Sequence, residues 1–224
     1  MTQPAANAKL PKGERPVRFR RALPWIAALL ICTSGANAAS ARQRNIVAFG
    51  DSLSAGYQLP QSAGFTAVLE KALRDKGYDV RVVNAAVSGD TVAGGLERID
   101  WALAETPDIV ILELGANDML RGADPARTQA GLDKLIATIK TRGAKVLLAG
   151  MRATPSLGAD YVLRFDAIYP ALARKYDVPL YPFFLQGVAG DAALKLQDGL
   201  HPNRRGVEAI VAGLLPTLEP MLRE

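Results

Sequence analysis

Cysteine is almost absent: Cys32 is the only one in 224 residues, and it falls in the first 38. The remainder can form no disulfide and must be stable through its core alone, whatever the redox state of its compartment. Histidine is just as scarce, with His201 alone. One histidine and no cysteine beyond residue 38 exclude a His/Cys zinc cluster. Long hydrophobic runs are missing as well. The most apolar stretch, Ala22 to Cys32, is shorter than the ~20 residues that a membrane-crossing helix needs. Nor does any serine sit in a G-x-S-x-G elbow, which argues against the ordinary α/β-hydrolase pattern but not against serine chemistry. The loop Gly50–Gly56 lacks the lysine of a phosphate-binding P-loop.

The surplus of positive charge is local. Residues 1–38 hold Lys9, Lys12, Arg15, Arg18, Arg20 and Arg21 against Glu14 alone. Of the chain's 27 basic and 22 acidic residues, 21 of each sign therefore remain beyond residue 38. A nucleic-acid-binding domain carries a basic patch of its own, and the only basic cluster there is Arg204-Arg205, so no nucleic-acid partner is expected. The leader reads instead as an export signal. A basic lead is followed by the short apolar run and by small residues ending in Ala36-Asn37-Ala38. The expectation is a signal peptide over 1–38, one domain over 39–224, a periplasmic or secreted location, and no stable membrane span after cleavage. Retention of the leader as an uncleaved anchor is the alternative. Ile31 before Cys32 disfavours lipid attachment.

Beyond the leader, apolar β-rich runs alternate with helical patterns. Strands are expected at Asn45–Gly50, Asp79–Asn84, Asp108–Leu114, Lys145–Gly150 and Pro179–Phe184. Helices are expected at Gly64–Lys76, Thr91–Glu105, Pro125–Thr141, Asp160–Tyr176 with a break near Pro170, and Gly206–Leu222 with a kink or break at Pro216. Ser62 reads as a helix N-cap. Strands without polar alternation are buried on both faces, so the pattern predicts an α/β fold with a mainly parallel five-stranded sheet covered by helices on both sides.

In such sheets sites lie in the loops beyond the carboxyl ends of the strands. Those loops hold Gly50-Asp51-Ser52-Leu53-Ser54, Ser88-Gly89-Asp90 and Gly115-Ala116-Asn117-Asp118. A fourth loop, before the last helix, holds Asp198-Gly199-Leu200-His201-Pro202-Asn203. His201 is the side chain suited to general-base work near neutral pH. A serine hydroxyl becomes a useful nucleophile only when such a base takes its proton. Asp198, three residues earlier, can orient the imidazole. Among Ser40, Ser52, Ser54, Ser62, Ser88 and Ser156, Ser52 follows its strand most closely and is the candidate nucleophile. Ser52 N–H, Gly89 N–H and the Asn117 amide are candidate donors to an oxyanion. The plainer reading of Gly89 and Asn117 is that they shape turns.

Taken together, Gly50-Asp51-Ser52-Leu53-Ser54-Ala55-Gly56-Tyr57, Gly89, Gly115-Ala116-Asn117-Asp118 and Asp198-Gly199-Leu200-His201-Pro202-Asn203 resemble the GDSL, or SGNH, hydrolase family. Asn84–Thr91 and Ile168-Tyr169-Pro170 are similar to its branch of periplasmic multifunctional thioesterase/protease/lysophospholipases and related arylesterases of Gram-negative bacteria. The resemblance implies a flavodoxin-like three-layer α/β/α sandwich and no cofactor. It also implies hydrolysis of small acyl esters, thioesters or lysophospholipids by Ser52, Asp198 and His201. Ala116 stands where a second glycine is common in that branch. Met151–Leu163 is a candidate wall for an acyl groove. A carbohydrate O-acetyl esterase and a non-catalytic lipid-binding protein are the other readings. Chain-length preference and oligomeric state have no signature in the sequence.

Overall fold

The computed structural model describes residues 42–223. The leader, residues 1–38, lies outside the described residues.

Five parallel strands form one sheet: β1 (Arg44–Gly50), β2 (Val80–Asn84), β3 (Ile109–Glu113), β4 (Lys145–Ala149) and β5 (Leu180–Tyr181), in the order β2-β1-β3-β4-β5. The expected α/β class is the observed one. The side chains of β3 are buried throughout, as a central strand covered on both faces requires. β2 departs from that expectation: at the sheet edge, only Val80 is fully buried.

Helices α1 (Ser52–Ala55), α2 (Phe65–Asp75), α3 (Val92–Ala102), α4 (Ala116–Leu120), α5 (Pro125–Thr141), α6 (Ala159–Asp166), α7 (Ile168–Tyr176) and α8 (Arg204–Arg223) complete the fold. α2 packs on α8, and α3, α5 and α7 pack in series, so the two sets form the outer layers of a sandwich. Phe49, Phe65, Leu69, Ile111, Leu112, Leu135, Leu148 and Leu214 are among the side chains with essentially no exposure. This continuous core takes the place of any covalent cross-link.

Several local expectations are corrected. Two segments read as plain loops each contain a short helix, α1 and α4, started by Asp51 and Gly115. Asp51 caps α1 through Leu53 N–H, and Gly56 at φ +80° ends it. Ser62 is not an N-cap: it sits inside a 3-10 turn, and Gly64 precedes α2 with no side-chain cap. The break between α6 and α7 falls at Ala167, not near Pro170. Pro170 occupies the first turn of α7, where a missing N–H has no intrahelical acceptor to lose. α8 runs unbroken past Pro216 and Pro220, its apolar side buried through Leu214, Leu215, Leu218, Met221 and Leu222. Packing of that face outweighs the intrinsic cost of an internal proline. β5 is shorter than expected because the chain turns at Pro182, where the Pro182 carbonyl lies over Gly150.

The order 2-1-3-4-5 places a switch point between β1 and β3, where neighbouring crossovers leave in opposite directions and open a crevice at the carboxyl ends. Tyr169 of α7 braces this end of β3 by donating its hydroxyl to the Leu114 carbonyl at 2.8 Å, with 1% of the residue exposed. Tyr169→Phe leaves that carbonyl buried and unpaired. Its expected cost is about 1–3 kcal/mol, read as a lower midpoint at constant slope in urea unfolding.

Candidate active site

The turn Ser52–Ala55 follows β1 directly, and it projects the Ser52 hydroxyl into the crevice beside the loop that precedes α8. That loop is held at both ends. Leu196 N–H donates to the His201 carbonyl at 2.8 Å, and Gly199 takes φ +70° at the turn between. Asn203 donates to the Ala193 and Lys195 carbonyls while its Oδ1 accepts Gly206 N–H at the start of α8. His201 is thereby fixed against Ser52, 149 residues away in sequence.

Ser52 Oγ lies 2.9 Å from His201 Nε2, and His201 Nδ1 lies 2.7 Å from Asp198 Oδ2. With the Nδ1 proton donated to Asp198, Nε2 is left to accept the Ser52 proton. Asp198 Oδ1 accepts the main-chain N–H groups of Leu200 and His201. Chiefly the Leu200 N–H, then the His201 ring and N–H, lower its carboxyl to a pKa of about 2, so it stays ionised at neutral pH. Tyr57 covers the imidazole, ring centroids 4.4 Å apart. The three residues expected to act together are therefore in contact in the expected order.

The candidate oxyanion donors also converge on the cavity, although not in equivalent states. Ser52 N–H opens the first turn of α1, and Gly89 sits at φ +83°. Among the described residues neither N–H has an internal acceptor. Both amide hydrogens of Asn117 are engaged, one on Asp51 Oδ2 at 3.0 Å and one on the Asp90 carbonyl at 2.9 Å. Asn117 can reach an oxyanion only by sharing or exchanging one of these.

Two carboxyls lie beneath the Ser52 turn. Glu113 Oε2 accepts the Ser54 hydroxyl at 2.7 Å and Asp51 N–H at 3.2 Å, while Oε1 is buried with no partner among the described residues. Burial, reinforced by Asp51, pushes the Glu113 carboxyl well above its usual range. Burial likewise raises Asp51 to about 6, against the lowering effect of its bond from Leu53 N–H. Asp118 accepts Val92 N–H at 2.9 Å and ties α4 to α3, and burial raises it too. Neither Glu113 nor Tyr57 was given a role at the site by the sequence. Glu113 left a trace as the charged residue inside the apolar run from Ile109 to Leu114, and Tyr57 stands at the end of the block Gly50–Tyr57.

The crevice is a cavity of about 800 Å³. Ser52, Gly89, Asn117 and His201 line it together with Met119, Leu120, Phe183 and Leu185. Of the segment Met151–Leu163, only Met151–Pro155 reaches the cavity. The rest enters the short turn and α6.

A serine, an imidazole and a carboxylate in hydrogen-bonded series, at the carboxyl rim of a parallel sheet between two helical layers, define an α/β/α hydrolase. Residues 48–209 match the GDSL-like Lipase/Acylhydrolase family, and the chain belongs to it. It is 43% identical over 183 residues to Esterase TesA of Pseudomonas aeruginosa, covering 81% of this chain and 91% of that protein. It is 37% identical over 205 residues to Thioesterase 1/protease 1/lysophospholipase L1 of Escherichia coli, covering 91% and 95%. The crystal structure of AlinE4, an SGNH-hydrolase family esterase, superposes with a TM-score of 0.68 at 46% identity, over 80% of this chain and 96% of that one.

The raised carboxyls predict how stability changes with pH. A group whose folded pKa lies above its unfolded value stabilises the fold below the unfolded value, and it loses that contribution as pH rises through the folded one. The unfolding free energy of the wild type is expected to fall as pH rises from about 4, where unfolded carboxyls ionise, through about 6, where Asp51 ionises in the fold, and to go on falling until Glu113 ionises as well. Glu113→Gln keeps an acceptor for Ser54 and Asp51 N–H and removes the titration. Urea unfolding across this range should give a flatter profile for the variant. Parallel profiles would show that Glu113 is not a source of the pH dependence.

Proposed function

We propose that the protein is an exported serine esterase that cleaves acyl esters or thioesters through Ser52, His201 and Asp198. The observation that carries this reading is the unbroken chain from Ser52 Oγ through His201 to Asp198 Oδ2, opening on a cavity with a largely apolar lining. His201 Nε2 takes the Ser52 proton as Oγ attacks the carbonyl carbon. The tetrahedral oxyanion is met by Ser52 N–H, Gly89 N–H and an Asn117 N–H transferred from its resting partner. His201 then gives its proton to the leaving oxygen or sulfur. Water activated by the same imidazole releases the acid from Ser52. Asp198, ionised, stabilises the imidazolium in both halves.

A largely apolar lining suits an acyl chain better than a sugar, which favours an acyl-chain substrate over an acetylated carbohydrate. The names of the relatives, esterase and thioesterase/protease/lysophospholipase, point the same way. Among the described residues no helix is long and apolar enough to cross a membrane. The basic, apolar and small-residue order of residues 1–38 supports export of residues 39–224 as one domain to the periplasm or beyond. An exported enzyme is separated from cytosolic acyl-CoA, so oxygen esters and lysophospholipids are its expected physiological substrates.

The test is hydrolysis of p-nitrophenyl esters of graded chain length beside Ser52→Ala. Turnover is expected to vanish in the variant, together with labelling by a fluorophosphonate. Persistence of either in Ser52→Ala would reassign the nucleophile. Asn117→Ala is expected to retain the fold and to lose about 10²–10³ in kcat. A kcat near wild type would remove Asn117 from the oxyanion site.

A further inference from the structure

The three oxyanion donors come from three turns that share no regular hydrogen-bonded element. Ser52 follows β1, Gly89 lies between β2 and α3, and Asn117 opens α4 after β3. The Gly89 turn is held from outside by Val87 N–H, which donates to the Gly50 carbonyl at 3.0 Å, and by Arg121 Nη2, which donates to the Gly89 carbonyl at 3.0 Å. Between Asn84 and Val92 the chain has neither helix nor strand, and Val87, Ser88 and Gly89 are exposed. One further side chain binds both flanks of this turn and the end of β1.

Arg98 of α3 donates Nε to Asp90 Oδ2 at 2.7 Å, Nη1 to the Ala85 carbonyl at 2.5 Å and Nη2 to the Gly50 carbonyl at 3.1 Å. Its guanidinium lies 4.0 Å from the centre of the Phe49 ring. The Arg98 side chain is 17% exposed and that of Asp90 10%. Gly50 is two residues before Ser52, Ala85 and Asp90 bracket Gly89, and the Asp90 carbonyl accepts one of the two Asn117 amide hydrogens. Arg98 itself does not line the cavity.

We propose that Arg98 is a positioning residue for the reaction: its guanidinium sets the spacing of the three oxyanion donors by tying the Gly89 turn to the end of β1. This rests on the oxyanion reading given above. A guanidinium suits the task because its donors leave a rigid plane in fixed directions, so three acceptors on two segments are held at one geometry. An ammonium keeps the charge beside Asp90 but has no such fork. The Asp90 ion pair further orients the peptide whose carbonyl holds Asn117.

Arg98→Lys separates charge from geometry. Active sites are first counted by stoichiometric fluorophosphonate labelling, so that any misfolded fraction is removed from kcat. Per active site, kcat on p-nitrophenyl butyrate is expected to fall about 10- to 100-fold, a part of what loss of one oxyanion donor costs, with KM within about 3-fold. In an Asn117→Ala background the same substitution is expected to cost much less, because residues acting through one another are not additive. A wild-type kcat for Arg98→Lys while Asn117→Ala is impaired overturns the positioning role and leaves the esterase reading intact. Full multiplication of the two losses also overturns it, since Arg98 would then act independently of the amide. An unimpaired Asn117→Ala would remove the oxyanion reading itself. Should Arg98→Lys fail to fold, Asp90→Asn keeps an acceptor for Nε and removes only the charge. A smaller fall in kcat at constant KM is expected there, and an unchanged kcat overturns the proposal.

Discussion

The site depends on the pairing of β1 with β3 in a register that sets Gly50 beside Glu113. That pairing puts the turn carrying Ser52 next to the turn carrying Asn117, at the point where the sheet's crossovers diverge. It also requires glycine at position 50. A Cβ there would lie 2.5 Å from Glu113 Oε2, 2.7 Å from the Glu113 carbonyl and 2.8 Å from Ser54 Oγ. A slip of one residue would exchange the two faces of β1, whose side chains from Ile46 onward are buried. The tight register is thus enforced by the core and used by the crevice.

Around this pairing the protein keeps polar groups in places that cost stability. Glu113 and Asp51 are buried beside each other, with one oxygen of Glu113 unpartnered among the described residues. Their raised pKa values are the thermodynamic mark of that cost. In return Asp51 caps α1, and its second oxygen holds the Asn117 amide. Glu113 takes the Ser54 hydroxyl and Asp51 N–H, which fixes the start of the same turn. Ser52 therefore sits on a single helical turn held from beneath by two carboxyls, where an apolar filling would offer no acceptor for its N–H groups.

The fold was legible because burial leaves a pattern. Uninterrupted apolar runs such as Ile109–Leu112 and the spaced Leu132, Leu135, Ile136 and Ile139 identify strand and helix without tertiary information. Errors came where packing or local capping outweighs propensity. Pro216 did not stop α8 because the helix buries its apolar side past it. Ser62, a good capping residue, was drawn into a 3-10 turn. Ser52, Gly89, Asn117, Asp198 and His201 stood out as candidates because each stands at a turn with glycine nearby, and because scarcity leaves one histidine to choose.

The sequence by itself determined the class of fold, the absence of any cross-link beyond residue 38, and the short set of residues able to do acyl-transfer chemistry. These follow from composition and periodicity, which are properties of neighbours along the chain. The tertiary structure alone decided that Nε2 of His201 meets Ser52, that both Asn117 hydrogens are engaged, and that Arg98 joins segments 48 and 13 residues away through one guanidinium. Those facts depend on distances across the sheet, and a hydrogen bond decays within a fraction of an ångström of its best length. No spacing along the chain carries that precision.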